Sequence, residues 1–305
     1  MNEFLRTLGH LLTLFYYWIE SMILFFVPKQ FKMKDVTDEL VLITGSGSGI
    51  GRLTAIKFAE KGANLVLWDI NENGIEETAK LVREKGTKAF TYTVDVTNRE
   101  AVYKTASKVK EDAGVVTILI NNAGIVQGKP ILELDDKQVE KTMNVNALSH
   151  VWMIKSFLPD MLQNDHGHIV SIASLAGLGG VPRLADYCAS KFAAVGLMDS
   201  LEVELHAMGR KNIKLTTICP FFINTGMFNG INSKLFSILE PEYVAEEILT
   251  SILCEKGTVI IPRSFYVLIA MKTMMPNRSL LALHDAFGGS ESMDLFTGRT
   301  KDKIH

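Results

Sequence analysis

Cysteine is scarce in this chain: Cys188, Cys219 and Cys254 are the only three, odd in number and widely spaced. No C-x-x-C pair occurs, which argues against a disulfide framework or a zinc site and for reduced, cytosol-facing thiols. An excess of charge is lacking too. Lys and Arg number 32 against 34 Asp and Glu, a formal net charge of −2, so no electrostatic footprint for nucleic acid is present. His166 and His168 flank Gly167, but no third ligand stands at a suitable spacing, so a loop and strand-entry role is expected and no metal. Apolar residues, by contrast, are plentiful. They make up 47% of 305 residues, enough to bury the core of one domain of roughly 250 residues plus an appendage. Mean hydropathy is +0.16, and the excess sits at the two ends of the chain.

From Phe4 to Val27 the sequence is mostly apolar, broken by Arg6, His10 and Glu20. As a helix this stretch is roughly 36 Å long, enough to cross a hydrocarbon core of about 30 Å. Pro28 ends it and Lys29, Lys32 and Lys34 follow. No small-x-small cleavage site follows the apolar run, so a removed signal peptide fits poorly. The expectation is a membrane anchor over 1–34, spanning or lying flat, with Glu20 the awkward residue for a span. Positive charge after it favours a cytosolic main domain.

Glu39 to Thr44 reads as a buried parallel strand. It runs into Gly45-Ser-Gly-Ser48-Gly49-Ile50-Gly51 and then a helical pattern. Glycines at a strand-to-helix turn let the backbone approach a pyrophosphate, and the helix N-terminus supplies N–H groups. A second strand, Ala63 to Trp68, ends at Asp69, placed to accept hydrogen bonds from adenosine ribose hydroxyls and to repel a 2′-phosphate. Neither Ile70 nor Ser46 offers a compensating cation, which favours NAD over NADP. Helices at 72–85 and 98–113 and strands at 88–94 and 116–120 continue the alternation, so the fold expected is α/β, a Rossmann-type doubly wound parallel sheet.

A long helix over 135–163 carries Asn146, and a strand over 167–173 delivers Ser174 to its C-terminal end. Thirteen residues later comes Tyr187, with Lys191 four residues on, a spacing that puts both side chains on one helix face. Free tyrosine titrates near pH 10, and a nearby ammonium is expected to bring it toward the working range. A neighbouring serine hydroxyl can hold a substrate oxygen while hydride moves at the adjacent carbon.

Thr44-Gly45-x-x-x-Gly49-Ile50-Gly51, Asn121-Asn122-Ala123-Gly124, Ser174, Tyr187-x-x-x-Lys191 and Cys219-Pro220 together resemble the ordered motif set of the short-chain dehydrogenases/reductases, over roughly residues 38–262. The resemblance implies a water relay at Asn146, substrate orientation by Ser174, acid/base chemistry at Tyr187, and ribose binding and tuning of Tyr187 by Lys191. It also implies cofactor contacts at Gly45, Ser48, Gly49, Ile50, Gly51, Asp69, Asp95, Val96, Asn122, Ala123, Gly124, Tyr187 and Lys191, and a homodimer. Pro220-Phe221 departs from the family's usual Pro-Gly. Stretches such as Val66-Leu-Trp-Asp-Ile-Asn71, Ala185-Asp-Tyr-Cys-Ala-Ser-Lys191 and Cys219-Pro-Phe-Phe-Ile-Asn-Thr-Gly-Met227 are similar to the membrane-anchored branch of retinol and 17-beta-hydroxysteroid dehydrogenases. What that implies is NAD-dependent interconversion of a lipophilic alcohol and its carbonyl, all-trans-retinol leading and a steroid or other lipid alcohol second. The place implied is the cytosolic face of the endoplasmic reticulum, with lipid droplets as a further surface. A non-catalytic scaffold at such a surface is the alternative that the intact Asn146, Ser174, Tyr187 and Lys191 speak against.

Residues 35–262 are thus the expected catalytic domain and 263–305 an apolar extension. Its Met271, Met274 and Met275 are expected first of all to pack. Cys188 is expected to pack as well. Residues 221–240 are expected to form a lid whose apolar members (Phe221, Phe222, Met227, Phe228, Leu235, Phe236) suit a greasy substrate.

Overall fold

The computed structural model describes residues 2–234 and 236–298. Seven parallel strands form one sheet in the order β3-β2-β1-β4-β5-β6-β7: β1 Leu40–Thr44, β2 Asn64–Asp69, β3 Ala89–Thr93, β4 Ile118–Asn121, β5 Gly167–Ile172, β6 Ile213–Pro220 and β7 Thr258–Ile261. Every residue of β1, β4 and β5 is buried, as a sheet covered on both faces requires.

Alternation along each strand sorts the core into two layers. Val41, Ile43, Leu65 and Leu67 face one way, onto α2 (Gly49–Ala59), α3 (Glu72–Arg83) and α8 (Pro241–Leu253) through Phe58, Ile75 and Ile248. Leu40, Leu42, Val66 and Trp68 face the other, onto α4 (Arg99–Asp112), α6 (Ser149–Asn164) and α7 (Ala185–Ala207) through Val102, Phe157 and Leu201. Side-chain caps start several helices. Asn71 accepts from the Gly74 amide at α3, Asn98 from Ala101 at α4, and Asp135 forms a capping box with Gln138 at α5 (Asp136–Met143). The chain leaves β1 toward β2 and β3 on one side and toward β4 to β7 on the other. A crevice therefore opens at the C-terminal ends of β1 and β4, where such sheets bind ligands.

The single helix expected over 135–163 is α5 and α6 joined by a π-helical turn, Asn144–Leu148. The extra residue re-aims the side chains there, a feature often found at functional sites, and Asn146 lies in it.

At the N-terminus, α1 (Asn2–Phe26) is a helix as expected, but among the described residues no helix is long and apolar enough to cross a membrane. The expectation of a possible span is not met: Arg6, His10 and Glu20 interrupt the apolar run from Phe4 to Val27. Nor does α1 join the core: Phe4, Leu12 and Trp18 are all more than 60% exposed. After Pro28 the chain is tied to the domain: the Lys34 amide donates to Leu253 O at 2.8 Å and Lys29 meets Glu247 at 3.2 Å.

Beyond β7, α9 (Phe265–Met274) and α10 (Asn277–Ala286) lie on the surface with no buried residue. The packing role expected first for the methionines is not what two of them do. Met274 is 85% exposed and Met271 39%, because α9 has no element over its outer face.

Candidate active site

Two loops meet at the crevice. Gly45 and Gly49 adopt φ of 65° and 56°, a left-handed conformation that costs glycine little. Gly51 sits where a Cβ would stand 2.2 Å from Gly45 O and 2.6 Å from Asn122 Nδ2. Asn122 stitches the loops together: its Nδ2 donates to Thr44 O at 2.8 Å and Gly45 O at 3.1 Å. The Thr44 hydroxyl oxygen accepts from the Asn122 and Ala123 amides at 3.0 Å each. Thr44 thus belongs to the site's framework in a way that the glycine pattern alone does not reveal. Ser48 is the residue from which α2 starts, and Ile50 packs against the core from the first turn.

Asp69 closes this half. Its Oδ2 accepts from the Gly47 amide at 2.9 Å and its Oδ1 from the Asn71 amide at 3.0 Å. A carboxylate has about four lone-pair positions, so acceptor capacity is left over. Asp95, by contrast, is exposed and bonds locally, its Oδ1 accepting from the Thr97 amide and hydroxyl at 2.9 and 2.7 Å. Val96 beside it is buried. Sequence reasoning missed Arg52. Its guanidinium donates to Gly47 O at 2.6 Å, Thr78 Oγ1 at 3.0 Å and Glu77 at 2.8 Å, so the nearest cation is already committed to protein groups.

The second half lies under β4, β5 and α7. Asn146 is fully buried. Its Oδ1 accepts from the Ile125 amide at 2.8 Å, and its Nδ2 donates to Ile125 O at 2.9 Å and to Ser190 Oγ at 3.0 Å. Ser190 in turn donates to Tyr187 O at 2.7 Å. A Cβ on Gly124 would lie 3.5 Å from Asn146 Oδ1 and 3.7 Å from Lys191 Nζ, which places both groups against the Asn122-Ala123-Gly124 turn. Ser174 stands just past β5. Its hydroxyl accepts from the Ala176 amide at 3.1 Å and donates to Pro220 O at 3.5 Å, and it lies near enough to the Tyr187 hydroxyl to favour the phenolate. Lys191 Nζ donates to Ile172 O at 2.8 Å and stands 5.7 Å from the centroid of the Tyr187 ring. All four expected residues are brought together.

The electrostatics differ from expectation. Burial pushes Tyr187 above its ordinary value, and the Ser174 hydroxyl opposes this only in part. The ammonium, bonded to Ile172 O and 5.7 Å from the ring centroid, is not among the influences that lower it. Burial also lowers Lys191 itself to about 8. His150, unremarked in the sequence, is buried nearby with its Nδ1 3.2 Å from Ser171 Oγ. Burial, with Lys191 adding to it, depresses His150 to about 3 and keeps the ring neutral.

Above Tyr187 the surroundings are apolar: Leu184, Cys188 and Met293 are buried with it, and Val126, Phe222 and Phe228 pack alongside. Cys188 packs, as expected. Phe221, which replaces the family's glycine, stacks on Phe265 at 5.0 Å between centroids and lies 4.8 Å from Phe222. The substitution thus ties the loop after β6 to α9. Leu235, expected in the same loop, lies outside the described residues, as do residues 299–305 of the extension. The two histidines serve structure: His166 pairs with Glu39 at 2.9 Å, and His168 lies between Lys34 Nζ at 3.1 Å and Thr216 Oγ1 at 2.8 Å.

This arrangement, a glycine-rich turn facing a serine, tyrosine and lysine across parallel strand ends, defines a class. The sequence profile of the short chain dehydrogenase family matches residues 39–235, and the chain belongs to that family. It is a nicotinamide-dependent alcohol dehydrogenase. Among characterised relatives it is 48% identical to human (Homo sapiens) epidermal retinol dehydrogenase 2 over 287 residues, covering 93% of this chain and 92% of the relative. It is 49% identical to mouse (Mus musculus) estradiol 17-beta-dehydrogenase 11 over 265 residues, covering 87% and 88%. Among solved structures it is similar to a short chain dehydrogenase/reductase from Burkholderia phymatum in complex with NAD. There the TM-score is 0.73 and the identity 26%, over 79% of this chain and 95% of the other.

Proposed function

We propose that the protein oxidises a lipophilic alcohol with NAD at a membrane or lipid-droplet surface, all-trans-retinol being the leading substrate and a 17-beta-hydroxysteroid the second. The observation that carries the reading is the buried Tyr187, with Lys191 beside its ring and apolar side chains packed around it. The relatives' names, a retinol and an estradiol dehydrogenase, support the substrate class.

The residues present fit a dinucleotide. The glycine turn leaves no room for side chains, Asp69 keeps free acceptor capacity for ribose hydroxyls, and Lys191 offers an ammonium at the far end of the crevice. Asp69 would also repel a 2′-phosphate, and Arg52, held by Glu77 and Gly47, is not free to offset this. When bound, NAD supplies the hydride acceptor. Ser174 holds the substrate oxygen; Tyr187, once it has passed its own phenolic proton toward Lys191 and the water path that Asn146 positions, takes the hydroxyl proton during oxidation and returns it in reduction; and Lys191 binds ribose and supplies the positive charge that favours the phenolate. Asp95, Val96 and Asn122 are proposed cofactor contacts, and the enzyme is proposed to work as a homodimer.

A panel of retinol, 17-beta-hydroxysteroids and long-chain alcohols, offered with NAD or NADP to membranes carrying the protein, tests the reading. NADH formation from at least one lipophilic alcohol is expected, with NADP used at least about 10-fold less efficiently; Asp69→Ala should narrow that gap. Equal efficiency with both cofactors, or turnover restricted to small polar alcohols, contradicts it.

A further inference from the structure

We propose that Met293 and Phe296, in the segment 288–298 near the C-terminus, form the outer wall of the substrate cavity and set a preference for long apolar alcohols. The proposal rests on the lipophilic-alcohol reading above. Tyr187 is only 5% exposed and Met293 1%, within one apolar cluster. Phe228 meets Tyr187 edge-on at 5.7 Å, and Phe296 meets Phe228 at 6.4 Å. On its other side Phe296 lies against Gly128, where a Cβ would stand 2.1 Å from the ring. This short segment therefore bridges the loop after β4 and the loop after β6, through Gly128 on one side and Phe228 on the other.

Its attachment is built into the backbone. The Thr297 amide donates to Asn229 O at 2.9 Å and the Asn232 amide to Ser292 O at 2.9 Å. Gly230, at φ 82°, has Leu295 O where a Cβ would go, 1.9 Å away. The ion pairs Lys234–Glu291 (2.6 Å) and Arg183–Asp294 (3.5 Å) are exposed and add little. Leu295 is 71% exposed while its neighbours Met293 and Phe296 turn toward the cluster that holds Tyr187, Met293 within it and Phe296 through Phe228. An alcohol whose hydroxyl reaches Tyr187 runs its chain along them.

The test uses the full chain, NAD and linear primary alcohols from butanol to dodecanol. In the wild type kcat/KM should climb with chain length, since each buried methylene adds binding. In Met293→Ala/Phe296→Ala the dodecanol-to-butanol ratio should fall at least about 10-fold, through KM, with NADH affinity unchanged. Gly230→Ala, which displaces the segment without altering either side chain, should do the same, whereas Met293→Leu/Phe296→Leu should keep the preference. A wild type with no chain-length preference overturns the lipophilic reading and the wall with it. A preference that survives both Met293→Ala/Phe296→Ala and Gly230→Ala overturns the wall alone.

Discussion

Lys191 is fully enclosed, and the protein gives its ammonium one carbonyl, Ile172 O, as compensation. Its value falls from 10.5 to about 8, burial being the cause. For a base with a depressed folded-state value, the destabilisation is fully present below pH 8 and is relieved as pH rises from 8 to 10.5, where the unfolded chain holds more protons. Lys191→Met should therefore be more stable than wild type at pH 7, by at most about 3 kcal/mol, with the gap closing toward pH 10. Denaturant titrations at the two pH values check this, and a difference that does not vary with pH contradicts it. The Tyr187–Lys191 pair was legible because i, i+4 spacing is a local property. Arg52, His150 and Phe221 were not, because what they do depends on Glu77, Ser171 and Phe265, residues 21 to 44 positions away whose proximity only the fold creates.

Among the elements, β1 to β5 were readable to within about two residues, since fully buried parallel strands are short apolar runs bounded by turns; β6 and β7 were given no bounds. The π-helical turn was not. A 3.6-residue pattern cannot register one extra residue, and here the cause is tertiary: the Asn146 amide is held by Ile125 N and O from another segment. The glycine turn is the element most sensitive to change. Gly51→Ala would press a methyl group on Gly45 O and on Asn122 Nδ2, which is itself bonded to Thr44 and Gly45. NADH affinity should drop at least about 10-fold with a lowered Tm. Gly196→Ala, with nothing within 4 Å of its Cβ, is the control and should leave affinity unchanged. Equal affinity in Gly51→Ala would contradict the cradle role of the loop.

At the scale of the whole molecule, the proposed contact with lipid falls to α1. An apolar helix of 25 residues with no described side chain buried, and among the described residues not long and apolar enough to cross a bilayer, suits an interface better than a span. The sequence showed the helix and its basic flank but not this distinction, which turns on where Glu3, Arg6, His10 and Glu20 fall around it. Removing residues 1–28 should release the protein from membranes at least in part. The exposed Asn277-Arg278-Ser279 at the start of α10 should stay unglycosylated, and residues beyond 35 should be open to protease added outside sealed microsomes. A glycosidase-sensitive mass shift lost in Asn277→Gln would reverse that orientation. Full retention after truncation would move the attachment to α9, with its exposed Val267 and Met274. The central claim is tested most directly by following one hydrogen. Retinol deuterated at its carbinol carbon, given to wild type and to Tyr187→Phe with NAD, should yield deuterated NADH and retinaldehyde in equal amounts from wild type. Tyr187→Phe should bind NADH normally and yield neither; label transfer at the wild-type rate in Tyr187→Phe, or none in wild type with any lipophilic alcohol, would contradict the account.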